Sequence, residues 1–500
     1  MGRINSEAKA PELVEHVMRS FLQDMGDYFH VHLSIHKAHT VMLVEQALVT
    51  ADEGAQILRA LRELEDGGKK GLQLHPDTDL YMQMEAFIRS RAPEAGGKMH
   101  MGRSRNDLYA CGARIMTRNK LLPVCADAIG LQRAVLEKAR EHVQTVMPGY
   151  THLQHAEPVT LGHFLVAFHD VLERDVRRVQ AAFCSANQNA LGASALAGSS
   201  FTLDRVRTAE LLGFDGVVEN SYDAVAARDY LVEAVAALAV MASSITRVVD
   251  SLIIWSTSEF GMIDMPDSYG YTSSIMPQKR NPGYFLESVR SKSARITGEL
   301  TSAMCTLKGT TFAQSRDTSF EITIPAFRAF AEAVAILNVM KGVVTRMIVN
   351  RDAMQANCAS EFSGATEIAN LLVKERGLDF RSAYLVVANT VRIASEQGMR
   401  PKDVRASLMD EVAVSSCGQA VHLTDAQVRM ALDPARNVEL KRTLGGPAAM
   451  EVRRMIDVRF ARLEKKEQEH LALIDRLDAA ASELDRTMTA SIEGARALGV

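Results

Sequence analysis

Two unbroken stretches, Val159 to Asn189 and Ala224 to Phe260, constrain this chain more than any other feature. The first has no proline and no glycine after Gly162; the second has neither. A third stretch begins near Tyr284. A shorter fourth begins at about Pro325, a residue suited to the first turn of a helix. With only 13 prolines in 500 residues, the chain reads as almost wholly helical. At ~1.5 Å per residue, a helix of about 35 residues spans roughly 50 Å. The expected fold class is therefore all-α, built on a bundle of long helices.

The second stretch is apolar on more than one face, with Val225, Leu231, Val235, Leu238, Val249, Leu252 and Ile253 spread around it. A helix on the surface of a monomer buries one stripe, so this pattern predicts a helix enclosed by others. Packing against helices of other subunits accounts for it; a single large monomeric bundle is the alternative. The length predicts two to four structural units. We divide the chain into residues 1–107, short helices and loops; 108–360, the long-helix bundle; and 361–500, short helices broken at Gly377, Gly398–Pro401 and Gly445–Pro447. The charged stretch from Met450 reads as a solvated surface helix.

Charge narrows the function classes. The 57 Lys and Arg against 61 Asp and Glu give a net charge of −4, which argues against nucleic-acid binding through a bulk basic field. The six cysteines are scattered, without a C-x-x-C pair, as expected of reduced thiols in a cytoplasmic protein. Met1 to Gln23 carries charges throughout, so a cleaved signal peptide is not expected. No run approaches ~18 uninterrupted apolar residues, the rough length of a membrane span.

Chemistry-bearing residues gather where helices begin or end. Gly102-Arg103-Ser104-Arg105-Asn106-Asp107 sets two arginines, a hydroxyl and an amide before a helical run, a cradle for carboxylate or phosphate, or simply an N-cap with solvated arginines. Gly149-Tyr150-Thr151-His152-Leu153-Gln154 precedes the helix after Pro158. His152 can exchange protons near neutral pH, though a lone histidine is often structural. Between Phe260 and Tyr284 lies a long irregular segment in which Ser273 and Ser274 are followed by Lys279, Arg280 and Asn281. Loops of that length inside a helical protein are functional or disordered. His30, His32, His36 and His39 lack a carboxylate-backed ligand set, so no metal site is expected there. No phosphate loop, dinucleotide fingerprint or nucleophile elbow occurs.

These clusters, in this order, resemble the argininosuccinate lyase branch of the fumarase/aspartase superfamily. Ser273 to Pro282 resembles the signature G-S-S-x-M-P-x-K-x-N-P; Gly102 to Asp107 matches G-R-S-R-N-D, and Gly149 to Gln154 matches G-Y-T-H-L-Q. Leu191 to Gly198 is similar to L-G-S-G-A-L-A-G. The resemblance implies three domains and a homotetramer around a twenty-helix core, with active sites shared by three subunits. It implies reversible β-elimination of fumarate from a succinyl group on nitrogen, without metal or organic cofactor. By resemblance Ser273 is the base, acting as an alkoxide, and Lys279 and Asn281 hold the carboxylate on the carbon that loses its proton. Ser104, Arg105, Asn106, Thr151, Ser274 and Met276 hold the dicarboxylate. His152 is linked to proton transfer at the leaving nitrogen, with a partner carboxylate near Glu287.

The departures concern the amine. The branch writes A-Y-N-K/R-D-x-Q-E-D-K where this chain has Ala313 to Ile322, so without gaps the family's gripping Tyr, Gln and Lys become Gln314, Ser319 and Ile322. Losing hydrogen-bond partners for a polar substrate end costs orders of magnitude in selectivity. The expected activity is cleavage of an N-(1,2-dicarboxyethyl) amine other than argininosuccinate, such as the aminopolycarboxylate ethylenediamine-N,N'-disuccinate. An argininosuccinate lyase with an unusual amine pocket is the alternative, and a non-catalytic helical scaffold a third reading. No nucleic acid or membrane partner is expected.

Overall fold

The computed structural model describes residues 9–68, 72 and 78–497, and most of them are helical. Five long helices make the central bundle: α1 (Arg105–Glu141), α2 (Leu161–Ala186), α3 (Asp229–Trp255), α4 (Tyr284–Lys308) and α5 (Thr323–Arg346). The longest, α1, has 37 residues and carries Pro123 in its interior. A helix-interior proline removes one backbone hydrogen bond and costs about 3 kcal/mol. Burial of Leu121, Val124, Ala128, Leu131, Val135 and Leu136 around it offsets that cost. The sequence pattern hid this helix because Gly112, Pro123 and Gly130 interrupt it.

Successive bundle helices run in opposite directions. The N–H of Gly162, near the start of α2, donates to the His142 carbonyl just past the end of α1 at 3.0 Å. Arg114, in the early turns of α1, reaches the Ser185 carbonyl at the end of α2 at 2.9 Å and stacks over the ring of Tyr230 at the start of α3. Trp255, closing α3, packs edge-on against Phe164 of α2. Past the end of α4, Phe312 stacks on Tyr222, and Arg346 at the end of α5 reaches Tyr269, between α3 and α4. The bundle therefore has two ends. One holds the starts of α1, α3 and α5 and the finishes of α2 and α4; the other holds the reverse.

Asp229–Trp255 and Asp317–Arg346 are each long and apolar enough, by length and composition, to cross a membrane. Here both lie in the bundle core, with Leu231, Val235, Leu238 and Val249 of α3 and Phe330, Ile336, Leu337 and Met340 of α5 buried.

Before the bundle, helices Ala51–Gly67 and Leu80–Arg91 pack with the preceding helix over a core of Phe29, Leu33, Ile57, Leu61, Met84 and Ile88. After it, the helices from Ala365 to Leu440 enclose a separate small core of Ile368, Leu372, Val386, Met409 and Val428. The final helix, Ala449–Ala497, has 49 residues and runs back along the bundle. Val452, Ile456 and Leu463 enter the central core, and Leu484, Met488 and Ile492 enter the N-terminal one. It is half-solvated, as its charge predicts, but one face ties the chain's two ends together.

Candidate active site

At the first end of the bundle, Ser104 caps α1. Its hydroxyl accepts from the Asn106 N–H at 3.3 Å, and the Asp107 carboxylate accepts from the Ser104 N–H at 2.9 Å, a reciprocal capping box. The cap leaves Arg105 exposed and Ser104 and Asn106 half-buried at a helix N-terminus, where backbone N–H groups and the helix dipole favour an anion. Arg105 is paired with Asp79 at 2.6 Å. Asn106 donates through Nδ2 to the Ala195 carbonyl at 3.1 Å, which joins the Leu191–Gly198 motif to the cradle.

The other two clusters lie at the opposite end. Thr151 and His152 occupy the tip of a hairpin of two antiparallel strands, β1 (Val146–Thr151) and β2 (Gln154–Thr160). The sequence placed them just before a helix; the helix begins at Leu161, capped by Thr160, and the motif is a β-turn region instead. His152 and Leu153 both adopt left-handed backbone, at φ 53° and 60°, which projects the exposed His152 from the tip. Beneath it lies an apolar cavity of about 370 Å³ lined by Met147, Tyr150, Leu153, Phe164, Trp255 and Phe260.

The loop Ser273 to Asn281 is held at its base by a two-residue ladder, Tyr271–Thr272 against Arg280–Asn281. Arg280 anchors that base through Asp264, Asp267 and the Met265 carbonyl. The Ser273 hydroxyl accepts from the N–H groups of Ile275 at 3.3 Å and Met276 at 3.1 Å. Ser274, Met276 and Lys279 are exposed and Asn281 is half-buried.

One chain therefore does not bring its own clusters together. Ser273 precedes α4, whereas Asn106 meets the Ala195 loop, which bonds Ser221 next to Tyr222, the residue stacked on Phe312 beyond the end of α4. The 25 residues of α4 lie between, about 37 Å at 1.5 Å per residue. Thr151 and His152 share an end with Ser273. Glu287 is exposed in the first turn of α4, and among the described residues it makes no ion pair with His152.

The Ala313–Ile322 segment sits at the cradle's end, with Phe320 edge-on to Tyr109 of α1 at 4.8 Å. Gln314 Nε2 donates to the Ser319 hydroxyl. Ile322 is fully buried in the central core. The ungapped reading that put it at a gripping position is corrected here. Asp317–Glu321 forms a π-turn, with the Ile322 N–H donating to the Asp317 carbonyl at 3.0 Å. A π-turn rotates all that follows relative to an α-helical reading.

Asp79, Tyr109 and Asp107 are the residues here to which the sequence assigned no role. Asp79 was legible as an N-cap, since its carboxylate accepts from the Met82 N–H. His32, His36 and His39 are buried around Arg103, whose Nη2 meets His36 Nδ1 at 2.9 Å; a guanidinium among them disfavours a metal cation. His169, Asp170 and Glu173 bring ligand atoms within 4.8 Å, but Arg459 takes both oxygens of Asp170.

Residues 7–298 match the family model described as Lyase, and residues 362–439 the model described as Argininosuccinate lyase C-terminal. An argininosuccinate lyase of Methanothermobacter thermautotrophicus is 36% identical over 455 residues, 90% of this chain and 96% of that protein. One from Methanococcus aeolicus is 33% identical over 95% of this chain and 96% of its own length. The crystal structure of EDDS lyase in complex with formate superposes with a TM-score of 0.88 at 33% identity, covering 98% of this chain and 97% of that one. A variant of EDDS lyase with bound fumarate superposes equally well. Matched by family model, relatives and structure alike, the chain belongs to the fumarase/aspartase superfamily, as an argininosuccinate lyase-like carbon–nitrogen lyase that releases fumarate.

Proposed function

We propose that the substrate is an N-(1,2-dicarboxyethyl) amine other than argininosuccinate, of the aminopolycarboxylate class to which ethylenediamine-N,N'-disuccinate belongs. The observation that carries this is the Gln314–Ser319 pair: at two positions where the branch grips arginine, the side chains bond each other. The likeness to EDDS lyase supports the same reading. The curated names of the 36% identical relatives favour argininosuccinate as the second reading. Incubating the enzyme with each compound and following fumarate absorbance separates them; argininosuccinate turnover at a rate matching any other substrate sinks the first.

The chemistry assigns each cluster a part. Removing a Cβ proton beside a carboxylate builds an aci-carboxylate dianion, which positive charge and N–H donors stabilise. Ser273 is the base. Serine needs its alkoxide stabilised, and the N–H groups of Ile275 and Met276 already point at its oxygen, with Lys279 on the same loop. Lys279 and Asn281 receive the developing charge, with Ser274 and Met276 beside them. Ser104, Arg105, Asn106 and Thr151 hold the dicarboxylate, Gln314 faces the amine end, and His152 handles the proton at the leaving nitrogen. Because one chain separates these groups by a helix length, other copies must supply them. We infer a homotetramer in which three subunits build each site, with domains at 1–107, 108–360 and 361–500, working in the cytoplasm. An assembly that stays monomeric at micromolar concentration in sedimentation, yet is active, overturns this.

A further inference from the structure

The buried carboxylate of Asp107 sits behind the cradle rather than in it. Its Oδ1 accepts from the Ser104 N–H at 2.9 Å, and its Oδ2 accepts from the N–H groups of Gly192 at 2.9 Å and Ser194 at 3.0 Å. It is 0% exposed. One end of this carboxylate thus fixes the first residue of the cradle, while the other fixes a loop distant in sequence.

That loop, Leu191 to Gly198, is shaped to meet it. Gly192, Ser194 and Gly198 all have left-handed backbone, at φ 81°, 57° and 71°. For Ser194 this conformation costs about 1 kcal/mol, and it turns successive N–H groups inward. Arg205 packs against Gly192 so closely that a Cβ there would lie 2.8 Å from its Cγ, and Arg205 Nε holds the Leu191 carbonyl at 2.9 Å. The loop then points two carbonyls outward. Ala195 receives Asn106 Nδ2 at 3.1 Å, and Leu196 receives the Ser221 hydroxyl at 2.9 Å.

We propose that Asp107 is a positioning residue for dicarboxylate binding: by clamping the Gly192–Ser194 turn to the Ser104 cap, it fixes the Ala195 carbonyl that orients the Asn106 amide toward the substrate. With one amide hydrogen committed to Ala195, the second is aimed by geometry rather than free to rotate. The assignment rests on the fumarate-releasing reading above and adds the residue that sets its cradle.

The clamp needs an ionised carboxylate, because a protonated oxygen would turn a donor toward N–H donors. Burial pushes Asp107 up to about 6, against the three N–H groups and the neighbouring Arg103. The other charged or titratable groups that sense it are Arg205 and Cys111. Acidification through pH 6 should therefore loosen the turn.

The test uses the assembled enzyme and fumarate as the probe. Calorimetry should show the wild-type fumarate Kd rising about fivefold between pH 7.5 and 5, the loss expected if the protonated form binds about tenfold more weakly. Asp107→Asn should bind fumarate about tenfold more weakly at pH 7.5, lose that acid dependence, and raise KM more than it lowers kcat. Hydrogen exchange should quicken selectively in 191–198. If exchange quickens there while fumarate affinity stays within about twofold of wild type, Asp107 is structural only and the proposal is overturned. A wild-type affinity that does not weaken on acidification overturns it without recourse to any variant. A wild-type enzyme that binds no fumarate at any pH overturns the fumarate reading itself, and the clamp's role with it.

Discussion

Asp79 Oδ2 lies 2.6 Å from Arg105 Nη1, so the exposed cation of the cradle holds a carboxylate before any substrate arrives. A substrate carboxylate must displace or share that partner. Arg105 is half exposed, and pairs of this kind are worth about 0–1 kcal/mol. Asp79→Asn should therefore lower KM for the dicarboxylate by up to about fivefold at low salt, and the gain should fade at high salt. Stability should hardly change, since Asn caps the helix Leu80–Arg91 as well as Asp does. Steady-state kinetics at two salt concentrations decide; a rise in KM would mean that Asp79 orients Arg105 rather than competing for it.

Ser273→Ala should lower kcat by about 10²–10⁴-fold, the ordinary weight of a positioned general base. Melting should barely move, because the two N–H groups that the hydroxyl accepts from lie in an exposed loop where water can replace it. Retention of more than about a tenth of wild-type kcat, a loss under ~1.4 kcal/mol, would assign the base elsewhere.

What the sequence revealed was mostly local. Uninterrupted helical stretches gave α2 and α3, and the N-cap before α1 was readable because its partners lie in one turn. Motif order gave the family. Hidden features depended on distant partners or on backbone departures. Pro123 concealed α1, since only tertiary burial makes a helix through it affordable. The Thr151–His152 tip looked like a helix approach because β1 and β2 pair across a turn with no Asn-Gly signal. The π-turn at Asp317–Glu321 moved Ile322 into the core, and a register shift of that kind leaves no mark in a residue pattern. The separation of Ser273 from Asn106 along α4 follows from helix direction, which motifs do not encode.

Specificity should divide along the same line as the site. Fumarate should inhibit competitively, whereas free arginine should inhibit weakly, because Gln314 and Ser319 bond each other. Gln314→Tyr with Ser319→Gln should raise kcat/KM on argininosuccinate by at least about tenfold, ~1.4 kcal/mol, and lower it on the native amine. The two changes belong in one variant, since residues in contact couple non-additively. Ile322→Lys should be left out: an unpaired ammonium in that core costs about 3–5 kcal/mol and would report misfolding rather than specificity. If neither kcat/KM moves in the double variant, this segment does not meet the amine.

Acid should also destabilise the N-terminal layer. Burial holds His32 down to about 3 and holds His36 and His39 well below their ordinary 6.5, with Arg103 opposing their protonation as well. A histidine depressed in the folded state contributes its full stability above pH 6.5 and loses it as pH falls toward the folded value. Between pH 6.5 and 5 each of the three takes up a proton only on unfolding. Asp107 works the other way: raised to about 6 from 3.8, it holds in the folded state a proton that the unfolded chain lacks, so acid favours folding by at most one proton. His100 and His142, held down to about 4 by burial, add to the three, so five protons against one leave a net uptake of up to about four, or ~5.4 kcal/mol per pH unit. The urea midpoint of the enzyme should accordingly fall between pH 6.5 and 5, with a net proton uptake on unfolding measurable from its slope. A flat midpoint over that range would mean that the native layer already carries protons on these rings, which the close approach of Arg103 to His36 makes unfavourable.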